Sequence, residues 1–388
     1  MSISLRDPIH GFIKADDLEG DLISSRPMQR LRLVRQLGLS HLVFPGAEHS
    51  RFAHALGTMH LAGRLYDALA TQAESPLPPT GGKARRNVRI AALLHDIGHA
   101  PFSHTAEDLF DEPIDHEEMT RRLLDLPEMQ RIFERHQHDP APVLAILDGS
   151  ADGPDRILSQ IVSGELDVDK MDYLLRDSLF CGVRYGQFDL DRLLDTVLPL
   201  LDPRSNSWGI GVVEGGVHAL EALVLARYYM FTQVYFNVTG KVLELHLGEW
   251  LRETGTRWRA DPTAFLEVDD VSVLSAMRRS PSVHAAAVLA RRHFVLAHET
   301  REHLEADEKR RFEERLAPLQ QRYGAQLLVS NSAKDPHRLA RSRVLVQCRD
   351  GLEEMATYSN FIRHLTRIDQ YRVYCDPAIR DDVASQLS

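Results

Sequence analysis

An adjacent histidine and aspartate, His95 and Asp96, close a helical segment that is otherwise apolar over Ile90 to Leu94. An ionised carboxylate on an apolar helix is costly to bury unless it is paired or bound to a metal ion. Imidazole and carboxylate groups together suit cations such as Mn, Fe, Mg or Zn. The chain is therefore constrained to fold so that other segments bring a counter-charge or further metal ligands to this helix end.

Three features elsewhere favour a metal site over a capped helix end, which is the simplest interpretation of the dipeptide alone. His54 lies upstream on a second helical segment, within RFAHALG. Asp169 lies downstream, within DVDKMDY, where a third helix is expected to begin. His99 and His104 follow the His-Asp pair closely. This order of ligands on three helices resembles the signature of the HD superfamily of metal-dependent phosphohydrolases.

Apolar residues recur at helical spacing through the first 200 residues, which predicts a mainly α chain. A β-rich segment, Trp208 to Val213, could be half of a small hairpin, and residues 270–322 again have a helical pattern. The charged run from Glu305 to Glu314 is expected to be a solvated helix face. The remaining predicted helices cover 25–37, 50–71, 85–96, 116–126, 141–147, 155–163, 169–177 and 351–363, with one or two long helices over 217–249. Strands are predicted at 327–329, 344–348 and 371–374.

These patterns predict three parts of the chain. An HD helical bundle is expected over residues 1–250, a helical extension over 251–324 and a small α+β subdomain over 325–388. The chain has 388 residues, enough to bury a large core without disulfide or metal staples.

Composition excludes several classes of protein. The formal net charge of -10 does not indicate a general nucleic-acid-binding surface, although a local basic pocket for a small polyanion is compatible with it. The three cysteines form no CxxC pair, which argues against a disulfide framework. No apolar run approaches the ~18 residues of a membrane span, and the first residues do not resemble a signal peptide. A cytoplasmic protein without membrane contact is expected.

Longer motifs make the resemblance specific. Residues ~5–240 resemble the deoxynucleoside triphosphate (dNTP) triphosphohydrolases of the HD superfamily, whereas the last third of the chain is only loosely similar. No SAM domain, which some members carry, is expected here. The matching motifs are DPIHG, QRLR, QLG, VFPGA, RFAHALG, LLHDIGHAPFSH and DVDKMDYLLRD.

The resemblance implies a metal centre and a reaction. It makes His54, His95, Asp96 and Asp169 the ligands of one divalent cation per site, which could be Mn, Mg, Fe or Zn. Such a cation would polarise the α-phosphorus, activate water, or both. The implied products are a deoxynucleoside and intact triphosphate.

The resemblance also implies which groups handle protons. His104 and Glu107 match an acid/base pair, with glutamate where the family has aspartate, and would protonate the leaving 5′ oxygen. His116 and His99 match histidines near the site and the phosphates. For these last two, a surface or merely supporting role stays open.

The remaining implied contacts are to substrate. Arg51, Lys170 and Arg227 match phosphate-binding cations, and Tyr173 would donate a hydrogen bond. Arg227 rests on a looser match and could be plain surface. For the sugar, Gln36 and Asp177 would bond the 3′-hydroxyl, while Leu37 and Tyr235 would crowd the 2′ position; a plain core role for the last two stays open.

Departures from the family pattern bear on regulation. Gln29 and Arg32 of a regulatory guanine-nucleotide site are retained, but Ser24 stands where the family has the aspartate that reads guanine, and Ile3 where it has a lysine. Asn237 and Val238 replace a usual His-Lys pair. A regulatory nucleotide is possible, but activation by the same nucleotides is not expected. Family members generally assemble, so a homodimer, homotetramer or homohexamer is expected.

Two other functions stay open from the sequence. The same metal site could serve a single-strand nuclease or a hydrolase of signalling nucleotides, against which the acidic net charge and the retained Gln36 and Asp177 argue. A non-catalytic nucleotide sensor would need no ligands, yet all four are present. A dNTP triphosphohydrolase is the preferred hypothesis.

Overall fold

In the computed structural model of the chain, which describes residues 3–102, 109–335, 337 and 343–387, two short strands form a hairpin at the start. Strand β1 (Ile3–Asp7) pairs antiparallel with β2 (Gly11–Ala15). Gly11 has a positive φ of 72°, which suits its place at the end of the turn. The sequence analysis did not predict this hairpin, because two five-residue strands leave too short an alternation.

A bundle of helices follows the hairpin, and the mainly α prediction is confirmed. Helix α3 (Arg51–Ala70) is buried along most of its length and packs between α4 (Lys83–Leu94) and α9 (Val168–Phe180). Such all-round burial is typical of a central helix. The other bundle helices are α1 (Asp17–Ser24), α2 (Arg26–Arg30), α5 (His116–Leu124), α6 (Pro127–Arg135), α7 (Ala141–Leu147), α8 (Arg156–Val162) and α10 (Leu190–Thr196).

The predicted helix over residues 25–37 is wrong beyond its first turns. After α2 the chain makes a 3-10 turn at Leu31–Leu33, is extended at Val34 and then enters a second 3-10 turn at Gly38–Leu42. Backbone hydrogen bonds tie this stretch to the segment before α3, from Gln36 N to His49 O (3.0 Å) and from Arg51 N to Val34 O (3.0 Å). These bonds take the place of helical ones, and they place Gln36 and Leu37 beside the start of α3.

Two small sheets cover the second half of the chain. The first has the order β3-β4-β7-β8, formed by β3 (Val197–Asp202), β4 (Ser207–Val213), β7 (Leu345–Cys348) and β8 (Gly351–Glu354). The second has the order β5-β9-β6, formed by β5 (Val295–Glu299), β6 (Leu327–Lys334) and β9 (Ile368–Cys375). The hairpin suggested by residues 208–213 is therefore present, and the strands predicted near 327, 344 and 371 are confirmed.

Two predictions in this half need correction. Residues 270–322 are not helical throughout, because β5 lies within them and pairs with β9. Residues 351–363 do not form one helix: β8 is followed by α17 (Met355–Tyr358) and α18 (Asn360–His364). In the first place pairing with the distant β9 decides the structure, and in the second β8 forms a hairpin with the preceding β7. Helical periodicity registers neither pairing.

The long helical stretch over 217–249 is interrupted. Helix α11 (Val217–Met230) passes through a π-helical turn at Phe231–Tyr235 before α12 (Val238–Glu253) begins with Asn237 as its cap. Such turns widen a helix and are frequent at functional sites. The other helices are α13 (Pro262–Phe265), α14 (Asp270–Arg278), α15 (Val283–Leu289), α16 (Ala306–Tyr323) and α19 (Arg380–Leu387).

Within the described ranges, no helix combines the length and the apolar character that crossing a membrane requires.

Candidate active site

Three helices bring the predicted metal ligands together. His54 lies one turn into α3, and His95 and Asp96 follow the last residue of α4. Asp169 lies in the first turn of α9, where Asp167 caps the helix by accepting a hydrogen bond from Lys170 N (2.8 Å). The cap fixes where α9 starts and therefore where Asp169 lies.

The nitrogen and oxygen donors converge on a small volume. His54 Nε2 lies 3.0 Å and His95 Nε2 3.7 Å from Asp169 Oδ1. One donor atom from each of these three residues lies within 4.8 Å of the others, a spacing that could hold a metal ion. Asp96 adjoins the group, with its Oδ1 3.3 Å from His95 Nε2 and its Oδ2 3.9 Å from His54 Nε2.

Hydrogen bonds on the far side of each imidazole leave the facing nitrogen for a metal. His54 Nδ1 donates to Asp172 Oδ2 (2.8 Å), and His95 Nδ1 donates to Ala92 O (2.8 Å). His95 Nε2 is buried without a hydrogen-bond partner among the described residues. Metal-bound histidines commonly have their second nitrogen held in this way. The donor set therefore fits a divalent cation.

The charges of the cluster also favour a divalent cation. Burial opposes protonation of His54, but its hydrogen bonds to Asp169 and Asp172 raise the pKa of His54 to about 10. Burial would raise the pKa of Asp169, but the two histidines hold it below its usual value. Without a cation the cluster therefore holds a proton on His54. A divalent cation binding there displaces that proton, so its affinity rises with pH.

Asp96 connects this cluster to further basic groups. Its Oδ2 lies 2.5 Å from Arg51 Nη1 and its Oδ1 3.2 Å from His99 Nε2. The ring of His99 stacks on that of His116, with centroids 4.2 Å apart. Burial and the neighbouring Arg51 lower the pKa of His99 to about 3, so this imidazole is neutral near pH 7. His104 and Glu107 lie outside the described residues.

A cavity of about 760 Å³ opens beside the cluster. The lining residues that the sequence analysis did not single out include Phe231, Lys241 and Lys334. A signal was present in the sequence, because the chain has only six lysines. Three of the six, Lys170, Lys241 and Lys334, line this cavity. The predicted site residues that line the cavity are Gln36, Leu37, Arg51, Asp169, Lys170, Tyr173, Asp177, Arg227 and Tyr235.

The cations of the cavity are held by neighbouring groups. Lys170 Nζ donates to Gly164 O (2.6 Å) and pairs with Asp167 Oδ2 (2.5 Å). Arg227 Nη1 donates to Asp335 O (3.2 Å). The Arg227 guanidinium and the Lys334 ammonium lie 5.3 and 5.1 Å from the centroid of the same ring, that of Phe231. This wall of the cavity thus combines residues from α11, the π-helical turn and β6.

Asp177 is fixed on both of its oxygens. Its Oδ1 accepts a hydrogen bond from His49 Nε2 (2.7 Å), and its Oδ2 accepts one from Tyr235 OH (2.8 Å). His49, which stacks on the Phe180 ring, was missed by the sequence analysis although it lies just before Arg51. The arrangement holds the carboxylate at the cavity wall with Gln36 and Leu37 nearby.

Comparison with known proteins matches residues 51–177 to the HD domain and residues 189–388 to the HD associated region. An uncharacterized protein of Bacillus subtilis, YwfO, is 35% identical over 275 residues, covering 68% of this chain and 60% of that protein. The deoxynucleoside triphosphate triphosphohydrolase SAMHD1 homolog of Dictyostelium discoideum is 31% identical over 282 residues, covering 69% and 53%. The match thus spans little more than half the length of these relatives.

A solved structure resembles the whole chain. It is that of a hypothetical protein from Aquifex aeolicus, 32% identical, with a TM-score of 0.85 and complete coverage of both chains. The overall fold is therefore similar over the length of both chains.

Proposed function

Since the chain belongs to the HD-domain phosphohydrolase family, we propose that it is a metal-dependent dNTP triphosphohydrolase. The observation that carries the proposal is the joint lining of one cavity by Asp169 of the metal-ligand group and by cations. Those cations, Arg51, Lys170 and Arg227 with two further lysines, suit a triphosphate chain.

The metal centre would be held by His54, His95 and Asp169, with Asp96 beside them. A divalent cation bound there supplies Lewis-acid polarisation of a phosphoryl oxygen and lowers the pKa of a bound water. Arg51, which bonds Asp96 at 2.5 Å, links this group to the phosphate-binding side of the cavity.

The proposed reaction breaks the bond between the α-phosphorus and the 5′ oxygen while water oxygen bonds to that phosphorus. The 5′ oxygen then needs a proton, since an alkoxide is a poor leaving group. We assign this proton to His104, with Glu107 as its partner, and a supporting role to His99 and His116. The products are a deoxynucleoside and triphosphate, and the one water consumed balances the reaction.

Sugar selection would depend on the wall formed by Gln36, Leu37, Asp177 and Tyr235. The Tyr235 hydroxyl donates to Asp177, so both are held in place before substrate binds. A fixed wall excludes an added 2′-hydroxyl by steric contact, and it does not discriminate between the bases. We therefore propose broad use of dNTPs over ribonucleotides.

Shortening one wall residue is expected to relax this selection. Leu37→Ala should lower the ratio of kcat/KM for dATP over ATP by roughly tenfold, the scale of a few methylenes in a pocket. Steady-state kinetics with both nucleotides measures the ratio. The matched control is Leu33→Ala in the same stretch, where the leucine is 48% exposed and should leave the ratio unchanged. An unchanged ratio in Leu37→Ala would contradict its assigned role.

Product analysis tests the function itself. The protein is incubated with each dNTP and Mn²⁺, singly and in mixtures, beside Asp96→Ala. We expect deoxynucleoside and intact triphosphate, both lost in the variant, and the mixtures report whether one dNTP activates hydrolysis of another. No product from any mixture would reject the proposal and redirect the search to oligonucleotides and signalling nucleotides, or to a sensor without activity.

A further inference from the structure

A buried carboxylate behind the metal-ligand group collects four hydrogen bonds. Asp172 Oδ2 accepts from His54 Nδ1 (2.8 Å) and from Arg176 Nε (2.7 Å). Its Oδ1 accepts from His10 Nε2 (2.6 Å) and from Arg176 Nη2 (2.9 Å). The Asp172 side chain is fully buried, so no solvent competes for it. Both oxygens are therefore fixed, and so is the imidazole of His54.

The network continues into the hairpin at the start of the chain. Arg176 Nη1 donates to Asp7 Oδ2 (2.9 Å). Asp7 Oδ1 accepts hydrogen bonds from the backbone N–H groups of Ile9 and His10 (2.8 and 2.9 Å), which closes the turn between β1 and β2. The turn therefore places the His10 ring within hydrogen-bond distance of Asp172. An unbroken chain of hydrogen bonds thus joins residue 7 to a metal ligand.

The space for this network depends on one glycine. A Cβ on Gly57, one turn after His54 in α3, would lie 1.9 Å from Asp172 Oδ1 and 2.5 Å from Arg176 Nη2. No side chain fits there without moving the carboxylate. Helices α3 and α9 therefore approach closely enough for Asp172 to reach His54.

We infer that the turn of the N-terminal hairpin positions a ligand of the metal centre. His10 and Arg176 position Asp172, and Asp172 positions His54. This inference rests on the proposed function only in taking His54 as a metal ligand. Asp172 fixes the tautomer that carries its proton on Nδ1, so that Nε2 faces Asp169 and a cation. His10 and Asp172 are positioning residues, which touch neither substrate nor metal.

The competing explanation is that the network only stabilises the fold. Buried ion pairs such as Asp172 with Arg176 can serve that purpose without any influence on a bound metal. The two explanations differ in metal affinity, because the loss of a hydrogen-bond partner behind a metal-bound histidine typically lowers affinity by roughly 10–100-fold. They also differ in the geometry that a spectroscopic metal would report.

The experiment uses the full chain, stripped of metal with a chelator and titrated with Mn²⁺ by calorimetry and with Co²⁺ by absorption. We expect His10→Leu and Gly57→Ala to bind Mn²⁺ roughly 10–100-fold more weakly than the unchanged protein and to shift the Co²⁺ bands. His10→Gln, which keeps an N–H donor, should recover much of the affinity. The control is Gly20→Ala, whose Cβ would meet Ile3 at an ordinary 3.6 Å.

Folded His10→Leu protein with unchanged Mn²⁺ affinity and Co²⁺ bands would overturn the inference, as would a failure of His10→Gln to differ from His10→Leu. If Gly57→Ala does not fold, the two His10 variants decide alone, since their change is confined to the hairpin turn. Because no nucleotide is present, loss of the proposed dNTP reaction and loss of this inference are separate results. If the unsubstituted protein binds neither Mn²⁺ nor Co²⁺, both this inference and the proposed function are rejected.

Discussion

Replacing Asp169 with asparagine is expected to abolish hydrolysis and metal binding together. Asp169 Oδ1 is the atom that both imidazole Nε2 atoms face, at 3.0 and 3.7 Å. Asparagine there removes the negative charge that favours a cation and offers only a neutral oxygen. Several kcal/mol of charge stabilisation depend on a catalytic cation, so kcat should fall by roughly a thousandfold or more. Elemental analysis and product assays measure the two losses.

A second aspartate supplies a closely matched control. Asp191 occupies in α10 the position that Asp169 occupies in α9, two residues after a capping aspartate, Asp189 in one helix and Asp167 in the other. It pairs with Arg64 (2.6 Å) at the surface, where its side chain is 85% exposed. Asp191→Asn therefore makes the same chemical change at the same helical position and should leave metal content and activity intact. Comparable losses in both variants would show that the effect is not specific to the cluster.

The metal-ligand group was predictable because its signal is local. His54, His95 and Asp169 each belong to a short motif on a helix, and the chemistry of imidazole and carboxylate limits what such a trio can do. Their structural grouping follows from the packing of α3 against α4 and α9. The residue types were therefore enough to predict a metal site, although not the distances between its ligand atoms.

The groups behind the ligands were not predictable in the same way. His10 and Asp172 are 162 residues apart and meet only through the fold. His49 likewise reaches Asp177 across 128 residues. The sequence did contain one hint, since Asp172 lies one helical turn after Asp169 and shares its face of α9. Partners that depend on tertiary packing leave no periodic pattern.

The charged segment after residue 270 shows the same limit. Its sequence predicted a helix but gave no sign that Asp270, the first residue of α14, is completely buried. Its carboxylate accepts hydrogen bonds from two backbone N–H groups, those of Arg35 (3.0 Å) and Phe102 (3.1 Å). The first lies next to Gln36 and the second in the cavity wall. A residue outside the HD domain thus secures two segments of the candidate active site.

Asp270→Ala is accordingly expected to destabilise the fold strongly. The change leaves two buried N–H groups without acceptors, and each costs about 1–3 kcal/mol, so the free energy of unfolding should fall by about 2–6 kcal/mol at pH 7. Urea denaturation measures it. Asp261→Ala is the control, since that exposed carboxylate caps α13 by accepting from Ala264 N (2.7 Å), and its loss should cost about 1 kcal/mol.

The effect of Asp270→Ala should also grow as the pH falls. Burial raises the pKa of Asp270 to about 6, above its unfolded value of 3.8, so the folded state holds the proton more tightly. The stability linked to this proton is complete below pH 3.8 and is lost as the pH rises through 6. The free energy of unfolding of the unsubstituted protein therefore rises relative to that of the alanine variant as the pH falls from 7 to 5, because all other titrating groups are common to both. A difference in unfolding free energy that is equal at the two pH values, or smaller at pH 5, would contradict a buried carboxyl that binds its proton in the fold.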